Sequence, residues 1–429
     1  MTCIRYNFSC ILQVKPNFQD QKSEVSVSIK DNPKTGLGLL IWGLADLYFI
    51  LSVTFAMLLG VVLPNIATEL HLTTANVGLL GFSFFLSFGF MQFFAGSLID
   101  SKGPKVALSV SALIAAIGFF FLFEAKTLIS ALIAQMIIGV GFSITYVGAI
   151  YLAEKWFSKK LFPLMSGFTQ MSANLISALV LLVMAVTGAV SANFRIIAII
   201  LGVISLILAF FLFLFVKSPP SEKKTVKSPF LSCNLAELLR IPQFWYGILF
   251  FGSNFGVFLA FSSLWNIPDS IAYGHSLATA TKMSAMLRFG GAFGALLSGW
   301  LVRRLSHCST LAKMYSTGAL ILTISLILGP VFPDLITFSL MGLMGFFFGG
   351  TALGFPLVAQ HIPHNLKGAG FGLMTSFGYL LSAFLEYLVG VILNQSALPL
   401  TVLEFKLALA PLILFTLIGC FCSWKLHEK

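Results

Sequence analysis

The stretch Gly96-Ser97-Leu98-Ile99-Asp100-Ser101-Lys102-Gly103-Pro104-Lys105 joins two long apolar segments through a short connection that holds a carboxylate, two lysines and a Gly-Pro turn. Glycine and proline end one helix and allow the next to begin, so the pattern predicts a tight corner between two helices. Asp100 would then lie at the negative end of a helix macrodipole, where an acid is disfavoured. Its carboxylate therefore needs a positive partner elsewhere in the molecule.

The composition of the chain indicates an integral membrane protein. Of its 429 residues, 58% are hydrophobic and only 10% are charged, and the mean hydropathy is +0.96. A helix that crosses a bilayer needs roughly 20 apolar residues, and apolar runs of that length recur along the chain. The basic residues behind the net charge of +11 lie between these runs. They indicate membrane topology rather than a nucleic-acid surface.

Apolar runs bounded by charges, proline and glycine predict twelve spanning helices. They cover 39–64, 75–100, 104–123, 127–153, 163–187, 195–216, 242–267, 281–302, 311–331, 336–361, 365–393 and 402–424. We therefore expect an all-α integral membrane protein in five parts. These are a tail over 1–38, a six-helix bundle over 39–216, a linker over 217–241, a second six-helix bundle over 242–425 and a tail over 426–429.

Basic residues between the spans predict the orientation. With the N-terminus in the cytosol, the inner loops hold fourteen lysines and arginines and the outer loops hold four. Because cytosolic loops are enriched in these residues, we expect both tails and the linker to be cytosolic. The expected location is the inner (cytoplasmic) membrane of a bacterial cell, with an organellar membrane as the alternative. Labelling of a linker cysteine from outside intact cells would contradict this orientation.

The two bundles look like copies of one repeat. A shift of 203 residues along the chain places Gly96 on Gly299, Gly139 on Gly342 and Gly167 on Gly370 without a gap. All of these pairs fall at equivalent places in the six-helix pattern. Two six-helix halves joined by a basic linker are typical of secondary transporters.

These features resemble the major facilitator superfamily from about residue 39 onward. Its loop motif between the second and third helices runs Gly-x-Leu-x-Asp-Arg-x-Gly-Arg-Lys, and Gly96, Leu98, Asp100, Gly103 and Lys105 match it. Ser101 and Pro104 stand where basic residues are usual, which weakens the charge of the loop but keeps its acid. The stretch from Ala153 to Gly167 is similar to the family's connection between helices four and five. The resemblance implies alternating access, in which two bundles rock about a site near the membrane midplane.

The resemblance also implies a gating role for this loop. In that family the loop acid caps a helix start in the other half while the cytosolic side is closed. The start of the eleventh helix, near Lys367, Gly368 and Ala369, offers free amide groups on the same membrane face. We therefore assign gating to Gly96, Asp100, Gly103 and Lys105, with Asp100 as one half of a latch. The alternative is that Asp100 only solvates a tight turn.

Ionisable groups inside the predicted spans are functional candidates, because they are costly to bury in lipid. Arg288 in the eighth span is the candidate substrate anchor, since a guanidinium can hold a carboxylate or phosphate through two hydrogen bonds. The alternative is that Arg288 is a counter-ion for Glu386. Asp46 in the first span and Glu386 in the eleventh are candidates for proton coupling, because the protonation of a buried carboxyl responds to nearby charge. Asp46 could alternatively be an acid near the headgroups.

Several polar side chains are candidates to complete a substrate site with Arg288: Tyr146, Gln170, Asn174 and Asn254. The alternative for each is a hydrogen bond that holds two helices together. Many organic-anion carriers of the family place an arginine four residues before a glycine in the fourth helix. This chain has Gln135 at that distance before Gly139. An anionic substrate would therefore depend on Arg288 alone.

We therefore expect a secondary transporter and no enzyme activity. The expected solute is small and polar with a carboxylate, an amino acid, short peptide or organic acid, moved by proton-coupled symport. The chain has no G-x-x-x-x-G-K-[ST] loop for nucleotide, and we expect no metal and no cofactor. The expected partners are the solute, protons and the lipid bilayer, without nucleic acid, and the expected state is a monomer. The alternatives are an exporter of a metabolite or siderophore, and a non-transporting membrane sensor on a carrier scaffold.

Overall fold

The computed structural model of the chain describes residues 33–158, 161–217, 235–305, 307–363, 366–396 and 400–428. Twelve helices in this part of the chain are long and apolar enough to cross a membrane. This confirms the predicted fold class and the predicted number of spans. The tail expected over 1–38 and the linker expected over 217–241 fall mostly outside the described residues, so the boundaries of these two segments stay predictions.

The first half contains six spans, and some of them begin at a side-chain cap. Thr73 accepts a hydrogen bond from the Asn76 amide at the start of α2, and Asn193 accepts one from the Arg195 amide at the start of α6. These side chains satisfy amide groups that have no partner inside the helix. The spans are α1 (Pro33–Glu69), α2 (Thr74–Lys102), α3 (Pro104–Phe123), α4 (Leu128–Trp156), α5 (Phe162–Thr187) and α6 (Phe194–Phe215).

The second half contains the other six spans, two of them irregular. The spans are α7 (Pro242–Ala272), α8 (Leu277–Leu305), α9 (Cys308–Leu328), α10 (Asp334–Ala359), α11 (Lys367–Leu393) and α12 (Val402–Lys425). α7 contains a π-helical turn at Phe261–Trp265, and α10 contains a 3₁₀ turn at Gly349–Leu353. Turns of these kinds change the direction of side chains and often lie near functional sites.

The corner between α2 and α3 folds as the sequence predicts. α2 ends at Lys102, Gly103 has φ of 80°, and α3 begins at Pro104. The left-handed backbone at Gly103 favours glycine, and proline fits the first turn of a helix. Asp100 is exposed on the last turn of α2. The Lys105 ammonium lies 4.3 Å from the ring centre of Phe213 on α6, so Lys105 contacts its own half.

The two halves use equivalent helix contacts. α1 packs on α5, α2 on α4 and α3 on α6, and in the second half α7 packs on α11, α8 on α10 and α9 on α12. Gly139 lets α4 approach Phe84 on α2, and Gly290 lets α8 approach the backbone of Gly342 on α10. A Cβ on Gly349 would likewise lie 2.5 Å from the Ala295 amide of α8. The matching contacts support the internal repeat.

Among the described residues, the closest contacts between the halves lie on one face of the bundle. α2 contacts α11, α5 contacts α8, and α1 contacts the π turn of α7. On the face opposite the termini, a Cβ on Gly60 would lie 2.5 Å from the Ser263 carbonyl oxygen, and a Cβ on Gly78 would lie 2.6 Å from that of Glu386. On the side of the termini, a Cβ on Gly96 or Gly368 would meet nothing within 4 Å. We call these the sealed face and the termini face. With the predicted orientation, this is an inward-open state.

Candidate functional site

Arg288 lies where α8 meets α5 and α7, at the junction of the two halves. It is 3% exposed, and its Nη2 donates a hydrogen bond to the Ser262 hydroxyl at 2.7 Å. Its Nη1 lies 3.5 Å from the Asn174 side-chain oxygen, at the long limit of a hydrogen bond, and the guanidinium lies 4.9 Å from the ring centre of Phe258. The buried Nε finds no acceptor among the described residues. The guanidinium therefore keeps donors free for a ligand.

No acid of the described chain pairs with Arg288. Arg195 pairs with Glu69 and His275 pairs with Asp334, both near the sealed face, and neither pair involves Arg288. Tyr379 on α11 lies in the same region as Arg288. Arg288 and Glu386, which we considered from the sequence as a possible pair, are therefore not in contact in this state. An unpaired buried cation is costly.

Two tyrosines, one from each half, extend the site beyond Arg288. The ring of Tyr146 on α4 packs 5.2 Å from Phe49, and its hydroxyl faces Gln170 on α5. Tyr379 on α11 lies near both Tyr146 and Arg288. The structure therefore brings four predicted residues, Arg288, Tyr146, Gln170 and Asn174, to one region and adds Tyr379.

Tyr379 is not among the site residues predicted from the sequence, although its position on α11 gives a signal. Tyr379 lies seven residues before Glu386, which is two helical turns and hence the same face of α11. The centre of its ring lies 4.5 Å from that of Phe88 on α2 and 5.2 Å from that of Phe255 on α7. Tyr379 could therefore have been predicted as a site residue, because it is a polar ring on the same helix face as a buried acid.

Asn254 lies apart from this group. Its amide nitrogen donates to the Phe250 carbonyl at 2.8 Å and to the Ser316 hydroxyl on α9 at 3.2 Å. Gly419 on α12 leaves the space that the Asn254 side chain occupies. These contacts join helices within the second half, which is the alternative role that the sequence analysis gave to such residues.

Asp46 is 6% exposed and lies between α1 and α5, inside the first half. The Ser172 hydroxyl donates to its Oδ2 at 2.9 Å, and its Oδ1 is buried. Asn174, two residues further along α5, turns instead toward Arg288. Asp46, the predicted coupling acid, and Arg288, the predicted anchor, thus contact different sides of α5.

Glu386 lies in the contact between the halves at the sealed face. The residue is fully buried, and the Ser263 hydroxyl in the π turn of α7 donates to its Oε1 at 2.5 Å. Its Oε2 packs against Gly81 on α2 and finds no hydrogen-bond partner among the described residues. The Trp265 indole donates to the Glu386 carbonyl at 3.1 Å. A carboxyl group is therefore enclosed where the halves must part if this face opens.

Comparison with known proteins identifies the family. A sequence model described as Major Facilitator Superfamily matches residues 46–385. The chain belongs to this superfamily. Its members are membrane transporters, so this superfamily member is a multi-pass secondary transporter. The oxalate:formate antiporter of Oxalobacter formigenes is 25% identical to it over 346 residues, 76% of this chain and 79% of that protein.

Solved structures share the fold of this superfamily member. The nucleoside transporter NupG superposes with a TM-score of 0.70 at 13% identity, over 91% of this chain and 98% of that chain. A bacterial homologue of the human lysosomal transporter Spinster, inward-facing and occupied, superposes with a TM-score of 0.69 at 15% identity, over 90% and 96%. At these identities the likeness concerns the fold.

Proposed function

We propose that this transporter moves a small organic acid by alternating access and that Arg288 binds its carboxylate. The observation that carries the proposal is a buried guanidinium at the junction of the halves, without an acidic partner and with donors free. Such a group gains most from a bound anion, because its hydrogen bonds and its charge are then satisfied together. Uptake of carboxylates into proteoliposomes tests the proposal, and a broad set of other solutes is the comparison.

The surroundings of Arg288 favour organic acids over amino acids and peptides. An amino acid carries an ammonium group beside its carboxylate, and an acid near the guanidinium would balance that second charge. Asp46 is held by Ser172 within the first half, and Glu386 is enclosed at the sealed face. The related antiporter is named for oxalate, a dicarboxylate, and formate, a monocarboxylate, and this name supports the same solute class.

Exchange of organic anions is the second candidate, favoured over symport by that relative's name. An exchanger takes up external solute faster when the vesicles contain the same class of solute, whereas a proton symporter responds to a pH gradient. The same proteoliposomes, loaded or empty, with or without the gradient, distinguish the two modes.

We also propose that the protein is a monomer in the inner membrane with cytosolic termini. Light scattering in detergent tests the oligomeric state, and cysteine labelling of intact cells tests the orientation.

Proton coupling, where it occurs, is proposed to involve Glu386 and Asp46. An anionic carboxylate enclosed without a cation is costly, so we expect the proton to be on Glu386 while the face is sealed. Glu386→Gln should therefore remove the response of uptake to a pH gradient but retain solute exchange at equal pH. Asp46→Asn is the parallel test of the other acid. Tyr387→Phe is the control, because Tyr387 is an exposed neighbour of Glu386. An unchanged response of uptake to the pH gradient in both acid variants would contradict proton coupling.

The latch at Asp100 stays a proposal that this open state permits. α11 begins at Lys367 with no side-chain cap, so amide groups are present where the carboxylate of Asp100 would dock. Asp100→Asn should therefore favour the state that is open at the termini face, by about 1 kcal/mol or roughly fivefold. The alkylation rate of a cysteine at Gly372, which has open space here, measures the shift. Lys102→Gln is the control, and an unchanged rate in Asp100→Asn would exclude the latch.

A further inference from the structure

We infer that the site accepts one negative charge, so that its solute is a small monocarboxylate and dicarboxylates are rejected. The inference rests on the proposed function and narrows it. Its basis is the charge and hydrogen-bonding chemistry of the side chains around Arg288, taken from both halves.

Arg288 is the cation of the site, and three other basic side chains of the described spans lie away from it. The Lys406 ammonium donates to the carbonyl of Gly329 at 2.8 Å, in the connection after α9. Lys313 lies 5.6 Å from the ring centre of Trp424, on the side of the termini. Lys282 precedes Arg288 by six residues, roughly 9 Å along the helix toward the sealed face. None of these ammonium groups is placed to share a ligand with Arg288.

The groups that do surround Arg288 are neutral. Ser262, Asn174 and Tyr379 supply hydroxyl and amide groups, and Tyr146 adds another hydroxyl across the junction. Gln135, at the position where many organic-anion carriers of the family have an arginine, is neutral and fully buried in the first half. These dipoles can orient an anion but do not cancel its charge.

One carboxylate satisfies this arrangement and two do not. A guanidinium pairs with one carboxylate through two parallel hydrogen bonds. A second carboxylate would be enclosed without a cation when the halves close around the solute, and an uncompensated buried charge is strongly unfavourable. We expect the difference to reach about a hundredfold in apparent affinity at neutral pH, where a short dicarboxylate carries both charges.

The test compares acids of equal chain length as competitors of labelled acetate uptake into proteoliposomes at pH 7. The pairs are acetate with oxalate, propionate with malonate, and butyrate with succinate. The expected result is stronger competition by the monocarboxylate in every pair. Equal or stronger competition by the dicarboxylates would overturn the inference and leave the organic-acid function standing. If no carboxylate is transported or competes, the proposed function fails and the inference fails with it.

A charge-adding variant tests the physical cause. Tyr379→Lys places an ammonium near Arg288 and should improve competition by the dicarboxylates relative to the monocarboxylates at least tenfold. Tyr379→Gln is the matched control, because it removes the ring without adding charge: uptake of every acid should fall, and the ratio between dicarboxylates and monocarboxylates should not shift. Asn174→Lys adds the charge from the other half in case the first variant does not fold. A preference that stays unchanged in a folded lysine variant would overturn the charge argument.

Discussion

Arg288→Gln should lower carboxylate uptake at low solute concentration by at least about thirtyfold. The reason is that the guanidinium provides both the charge and the paired donors of the proposed site, and losing one partner of a buried, hydrogen-bonded charge pair costs roughly 2–5 kcal/mol. Arg288→Lys keeps the charge but loses the paired geometry, so we expect an intermediate loss. Initial uptake rates into proteoliposomes, normalised to the amount of folded protein, measure both.

A matched control separates this effect from general loss of positive charge. Lys313→Gln also removes a basic side chain that lies beside an aromatic ring, but at the termini side and away from Arg288. It should retain wild-type uptake. Arg288→Gln with wild-type uptake and apparent affinity would show that the anchor lies elsewhere.

Gly78→Ala should disfavour closure of the sealed face. The added methyl would lie 2.6 Å from the Glu386 carbonyl oxygen and 3.2 Å from the Cα atoms of Tyr387 and Gly390. These are backbone atoms, so α2 and α11 must move apart to accommodate it. Overpacking of this kind costs about 1–3 kcal/mol, enough to shift the balance of states by roughly 5- to 150-fold. Transport should fall accordingly.

The rate at which a cysteine at Leu264 is alkylated from the sealed face measures the opening. Leu264 is 2% exposed and packs between Gly60 and Gly81, so the cysteine becomes reactive only when the face parts. Gly43→Ala is the matched control, because a methyl there meets nothing within 4 Å. Equal alkylation rates in Gly78→Ala and Gly43→Ala would show that this contact does not set the closed state.

The sequence predicted those features that depend on composition and on short-range backbone preferences. Twelve apolar runs became twelve spans, and the Gly103-Pro104 pair produced the expected corner. Arg288 and Glu386 were found because a charge inside a span is rare enough to stand out without knowledge of packing. Their burial in the structure agrees with that reasoning.

The sequence could not predict which way polar side chains turn on α7. Asn254 and Ser262 are eight residues apart, which places them roughly 80° apart around a regular helix. The π turn at Phe261–Trp265 changes that angle further. Ser262 consequently reaches Arg288, while Asn254 reaches Ser316 on α9. Helix rotation and a local irregularity decide this, and hydropathy reports neither.

The glycines between α8 and α10 bear on how Arg288 recognises an anion. Gly290 lies two residues from Arg288 and brings the backbone of its helix against that of α10. Main-chain contact leaves little room for the helix to shift, while Ser262 holds the guanidinium at 2.7 Å. An anchor ordered before its ligand arrives loses little conformational entropy on binding. The affinity of the site for an anion thus depends partly on a rigid main chain that never touches the solute.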